Sequence, residues 1–199
     1  MNLAIITGTT KGIGAALRDV LAADPNNLVI TLSRAPTTTA SPFNIRLDVS
    51  DPTAIEPAFA EAMVHAGNQH FEHAVLINNA GVVLPVGAFD QISAADTAHN
   101  LMVNVAAPMI LSRLFANALR ENAKQRLLIN ISSGAAKRAI AGWSTYCAAK
   151  AALEMATRVR APAAPANDPP LTLVSPAPGG VATASLGCFR RPPGSAFPG

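Results

Sequence analysis

"YCAAK", residues 146 to 150, sets the only tyrosine of the chain four places ahead of a lysine. On a helix that spacing puts both side chains on one face, about one turn apart. A free phenol titrates near pH ~10, too high to exchange protons efficiently at neutrality. An ammonium one turn away would stabilise the phenolate. The plain alternative for the same two residues is an amphipathic surface pair.

A second cluster lies near the N-terminus. "TGTTKGIG", Thr7 to Gly14, stands where an apolar run gives way to a helical one. Glycines there allow a tight turn and close backbone approach, and a helix N-terminus offers free N–H groups to a pyrophosphate. Gly8, Gly12 and Gly14, with Thr10, Lys11 and Ile13 between them, are the candidate phosphate-binding residues. No Gly-Lys-Ser/Thr closes the motif, so it is not a P-loop. About twenty residues on, "TLSR" ends the next apolar run. An acid there would hold the ribose 2′-hydroxyl of NAD, whereas an arginine suits the 2′-phosphate of NADP. The residues present are Ser33 and Arg34, and Lys11 supplies a second charge, so the cofactor expected is NADP(H).

Positioning these groups requires alternating elements. The runs 3–7, 28–32, 44–49, 74–78, 126–132 and 171–175 read as strands, and 13–23, 52–66, 92–121 and 144–160 as helices. Strands with no polar face, alternating with helices, predict a parallel sheet covered on both sides: a doubly wound, Rossmann-type α/β fold in three layers, α/β/α. Residues 1–186 form the expected domain. The Pro-rich 162–170 reads as a loop, and the Pro- and Gly-rich 187–199 as a disordered tail.

The 199 residues suit one domain, and half of them are apolar. The net charge of +3 is spread along the chain, which disfavours nucleic acid as a partner. No uncharged apolar run reaches the roughly 18 residues of a membrane span, and the N-terminus has no basic leader, so a cytoplasmic protein with no membrane partner is expected. Cys147 and Cys188 make neither a disulfide framework nor a metal site.

With "TGTTKGIG", "LDVSD" (47–51), "NNAG" (78–81), "VNVAAP" (103–108), "NISSG" (130–134), "YCAAK" and "PGGVAT" (178–183) occurring in this order, the chain resembles the single-domain short-chain dehydrogenases/reductases. Within that family the stretch around Tyr146 is similar to small carbonyl reductases of the sepiapterin and benzil type. The resemblance implies that Tyr146 is the general acid in carbonyl reduction and the base in the reverse direction. It implies that Lys150 holds the nicotinamide ribose as well as tuning the phenol, that Ser133 donates to the substrate oxygen, and that Asn104 helps hold a relay water near the lysine. Ser132 is the competing serine. Asp48 and Val49 would contact the adenine, and Asn79, Ala80 and Gly81 would run beneath the adenosine ribose. Pro178, Gly179, Val181 and Thr183 would approach the carboxamide. Ile140 and Trp143 would line a pocket for an aromatic or hydrophobic ketone.

Family members carry a substrate-covering helix pair and a seventh strand after the "PGGVAT" loop. This sequence shows no such pattern, so six strands are expected, with a truncated or divergent ending that puts turnover in doubt. The alternative to an NADPH-dependent carbonyl reductase is therefore a chain that binds NADP(H) without turnover. A homodimer or homotetramer through the two long helices is expected by the same resemblance.

Overall fold

The computed structural model describes residues 1–35, 43–160 and 170–179. Strands β1 (Asn2–Thr7), β2 (Asn27–Ser33), β3 (Phe43–Arg46), β4 (Phe71–Asn78), β5 (Ala123–Asn130) and β6 (Leu171–Val174) form one sheet in the order β3-β2-β1-β4-β5-β6. Every pairing is parallel. Helix α1 (Gly12–Ala22) connects β1 to β2, and α2 (Pro52–Ala66) connects β3 to β4. Between β4 and β5 run α3 (Ala94–Leu101), a π-helical turn (Met102–Ala106) and α4 (Ala107–Ala118), and α5 (Ser144–Arg160) precedes β6. The strand order reverses between β1 and β4, and that switch point leaves a crevice at the carboxyl ends of the strands. The expected doubly wound Rossmann sheet, with six strands among the described residues, is the observed fold.

The apolar strands explain the layering. Leu3, Ile5, Ile30, Leu32, Leu76 and Leu128 form one core with Ile55 and Phe59 of α2 and Leu111 and Phe115 of α4. Ala4, Ile6, Val29 and Ile77 form another, packed against Leu17 and Leu21 of α1. Each fully buried side chain of this size is worth about 1.5–3 kcal/mol, so the sheet anchors everything attached to its ends. The stretch Ala94–Ala118 is long and apolar enough to cross a membrane by composition. Here its Val103, Leu111 and Phe115 pack into the core of the domain.

Strand β4 starts at Phe71 rather than 74 and β5 spans Ala123–Asn130 rather than 126–132, and two further departures have a local cause. The third strand stops at Arg46 rather than 49, because Asp48 leaves the ladder to form a turn: its carboxylate accepts from the Ser50 amide (3.0 Å) and hydroxyl (2.8 Å). Asp51 then caps α2 through the Thr53 amide (2.9 Å), and Pro52 occupies the first turn. The predicted helix 92–121 starts later, capped by Ser93, and is interrupted at the π-helical turn. Pro108 explains the interruption, since it has no N–H to offer the Asn104 carbonyl four residues back. The Ala107 amide instead reaches Met102, five residues back.

Candidate active site

The glycine turn is built by close approach. Gly8 (φ 70°) and Gly12 (φ 63°) lie in the left-handed region. A β-carbon on Gly8 would fall 2.8 Å from Ala80 Cα, and one on Gly14 would overlap the Gly8 carbonyl and the Asn79 amide. Asn79 is thereby tied to the turn: its Nδ2 donates to the carbonyls of Thr7 (3.0 Å) and Gly8 (2.9 Å). The Thr7 hydroxyl accepts from the amides of Asn79 and Ala80, both at 3.0 Å. Asn79 therefore holds the turn in place, with its carboxamide nitrogen committed to the backbone. The start of α1 fits a pyrophosphate well. Lys11 is its N-cap but makes no side-chain cap, and the first turn carries no acid, so neither competes with an anion for the leading N–H groups. Thr10, Lys11 and Gly12 are exposed and Ile13 is half-buried.

Sequence reading overlooked one support of this turn. Arg18 is buried in α1 and donates from Nη1 to the Thr9 carbonyl (2.9 Å), while Asp19 pairs with the same guanidinium (2.7 Å). No motif carries this signal, because the arginine lies on the inner face of the helix.

At the end of β2, Arg34 is exposed. The Asp48 carboxyl titrates below its ordinary value, chiefly because the Ser50 amide donates to it, with Arg34 and His99 contributing charge. Arg34 and Asp48 thus share one corner of the crevice. Ser33 behaves differently from Arg34: it is buried, with its hydroxyl 2.7 Å from the Ala35 carbonyl and 3.0 Å from Asn44 Oδ1. Val49 belongs to the hydrophobic core. Pro178 and Gly179 are exposed, the latter at φ 72°. Val181 and Thr183, and the predicted tail 187–199, lie outside the described residues.

The reaction end assembles around α5. The Lys150 ammonium lies 5.7 Å from the centroid of the Tyr146 ring, so the i,i+4 pair shares a face as expected. The Ser133 side chain faces the phenol and draws its pKa down, and its hydroxyl accepts from the Ala135 amide (3.2 Å), starting a short 3₁₀ turn. The Ser132 hydroxyl is buried with no hydrogen-bond partner among the described residues. Of the two serines, Ser133 is the one that meets the tyrosine. Trp143 is buried and stacks edge-on against Tyr146, with ring centroids 5.4 Å apart at 81°. It packs against the phenol ring. Ile140 is partly exposed.

The electrostatics differ from the sequence expectation. The Tyr146 phenol is pushed above its ordinary value, chiefly by burial, with the Ser133 hydrogen bond opposing the shift. The Lys150 ammonium does not reverse this. Burial lowers its own pKa to about 8, and its Nζ donates to the Ile131 carbonyl (2.9 Å). At neutral pH the phenol therefore holds its proton firmly, and the lysine is a cation in an apolar setting.

Gly81 joins the two ends. A β-carbon there would lie 2.9 Å from Asn104 Oδ1 and 3.6 Å from Lys150 Nζ. Asn104 is fully buried in the π-helical turn; its Nδ2 donates to the Val82 carbonyl (2.8 Å) and its Oδ1 accepts from the Val82 amide (3.2 Å). Its side chain is thus committed to Val82 and to Asn100. Asn100, one turn earlier, was not expected from sequence. The only signal was its i,i+4 spacing from Asn104 in "NLMVN". Elsewhere, a cavity of about 240 Å³ opens between α4, α5 and β6, lined by Met109, Leu153, Thr157 and Leu173 among others, and Tyr146 takes no part in it.

Residues 2–191 match the family model for the short chain dehydrogenase. The chain belongs to the short-chain dehydrogenase family. It is 32% identical over 181 residues to a benzil reductase ((S)-benzoin forming) of Bacillus subtilis, covering 90% of this chain and 74% of that one. Among solved structures, a short-chain dehydrogenase/reductase of Burkholderia vietnamiensis superposes with a TM-score of 0.79 at 34% identity, covering 94% of this chain and 88% of that one. A 4-hydroxyisoleucine dehydrogenase complexed with NADH gives 0.69 at 25% identity, covering 81% and 68%. The chain is thus an oxidoreductase of this family, and the family and its structural neighbours support a nicotinamide cofactor.

Proposed function

We propose that the chain is an NADPH-dependent carbonyl reductase acting on hydrophobic or aromatic ketones. The observation that carries this reading is the convergence of Ser133, Tyr146 and Lys150 at one end of a crevice whose other end is the uncapped start of α1. NADPH, when bound along the Gly8–Gly14 turn, supplies hydride to the carbonyl carbon. Tyr146 gives its proton to the carbonyl oxygen, and a phenol held protonated by burial is in the right state to do so. Ser133 donates a hydrogen bond to the same oxygen as negative charge develops there. Lys150, buried beside the phenol, holds the cofactor ribose. Preference for NADPH over NADH is supported by exposed Arg34 and Lys11, with no acid at the end of β2.

The substrate class is supported by the rim. Leu84, Val86, Phe89 and Ile140 are all exposed apolar residues. The Gly87 amide donates to the Gly142 carbonyl (3.0 Å), joining the loop that carries the first three to the segment leading into α5. The relative's action on benzil agrees with such a rim. Met109, Met155 and Val159, exposed on α4 and α5, support a homodimer through these helices.

The test is consumption of NADPH with benzil and related aromatic diketones, with NADH in parallel. The account expects turnover, at least tenfold better kcat/KM with NADPH, and a loss of about 10²–10⁴ in Tyr146→Phe, the range for one general acid. NADPH binding with no consumption above the Tyr146→Phe level would favour the silent cofactor-binding alternative.

A further inference from the structure

Asn100 is the one fully buried polar side chain of α3, with 0% of its surface exposed. Burying a carboxamide is costly unless its hydrogen bonds are made, and here they are made to the 82–84 backbone and to Asn104. Nδ2 donates to the Leu84 carbonyl at 2.7 Å and lies 3.3 Å from the Val82 carbonyl. Oδ1 accepts from Asn104 Nδ2 at 2.9 Å. Asn104 in turn brackets Val82 through both its amide and its carbonyl. Two asparagines one turn apart therefore act as a ladder, gripping residues 82–84 as that segment leaves the β4 end. The bond between them also fixes which end of Asn104 faces which way. Were Asn104 flipped, its oxygen would meet the Asn100 oxygen and the Val82 carbonyl.

The gripped segment touches the reaction site on both sides. Gly81, immediately before it, comes within a missing β-carbon of Asn104 and Lys150. Leu84 and Val86, at its far side, belong to the apolar rim. We propose that Asn100 is a positioning residue for the reaction, its carboxamide holding the 82–84 segment and the orientation of Asn104 so that Gly81 stays closed against Lys150. This inference rests on the reductase reading above, for it concerns the same site. Asn100 touches neither substrate nor cofactor, and it acts through Asn104 and the segment.

The experiment compares Asn100→Leu, which keeps the shape and removes every hydrogen bond, with the wild type. Leu84 then loses its donor, and Asn104 is free to flip. The expected result is a kcat for diketone reduction lowered tenfold or more, with KM changed less than about threefold, because the reacting groups lose alignment while Val86, Phe89 and Ile140 still supply the rim. Amide exchange at Val82 should quicken by a similar factor, with protection in the strands retained. A variant with wild-type kcat and wild-type Val82 exchange would overturn the proposal. So would equal losses of protection throughout the sheet, the mark of a residue that only supports folding. Should Asn100→Leu fail to fold, exchange in the wild type decides: the Val82 amide is expected to be protected, and rapid exchange there would refute the grip. If the wild type reduces no carbonyl, the reductase reading falls, and Val82 exchange still judges the ladder by itself.

Discussion

The two ends of the crevice are built by opposite means. At the β1–α1 turn, Gly8 and Gly14 let backbone meet backbone where a single β-carbon would collide with Ala80 or with the Gly8 carbonyl. At the α3–α4 and α5 end, closeness comes from polar side chains taken out of water: Asn100, Asn104 and Lys150 are all buried, and each is bonded to backbone. The first design depends on missing atoms, and the second on satisfied ones. A perturbation should therefore act sterically at one end and electrostatically at the other.

The larger effect is expected at the glycine end. Gly14→Ala inserts a methyl group against backbone, which costs about 1–3 kcal/mol in a packed site. For a chain of this size that lowers Tm by about 2–10 °C, and NADPH affinity should fall with it, since the turn must shift. Gly87, in contrast, has no atom of the described residues within 4 Å of a would-be β-carbon. Gly87→Ala should stay within about 0.5 kcal/mol of wild type, as surface changes usually do. Thermal melts of the two variants check the contrast, and equal losses would undo it.

A smaller and pH-dependent effect is expected at the polar end. Lys150 has its pKa lowered from 10.5 to about 8 in the folded chain. Between these values the unfolded chain holds a proton that the folded one has released, so stability rises with pH across that window. Below about pH 8 the buried charge is a full penalty. Lys150→Met removes the penalty, and the Tm difference between variant and wild type should therefore move in favour of wild type as pH rises from 8 towards 10. A difference independent of pH would mean that the ammonium is solvated after all.

The same contrast explains how much was legible in the sequence. Apolar strand runs and glycine spacing are local, so the six strands, their alternation with helices and the glycine turn could be read directly. Strand and helix ends were less visible, because Asp48 and Pro108 act through one hydrogen bond made or withheld. The face shared by Tyr146 and Lys150 followed from the i,i+4 period. Asn100 and Arg18 escaped notice because their partners, Leu84 and Thr9, are brought to them only by the folded chain. The direction of the Tyr146 shift escaped for a related reason: spacing reveals a neighbouring charge, whereas burial depends on everything packed around the ring, Trp143 included.

Tyr146 is the only tyrosine in the chain, so a single ring-labelled resonance reports it without assignment. Following its ¹³Cζ shift from pH 6 to 11 measures the protonation state on which the proposed proton transfer depends. The account predicts a phenol still protonated at its ordinary pKa of 10.0, displaced upward by burial. A phenolate forming well below that value would contradict it, and would return to Lys150 the tuning role that the spacing first suggested.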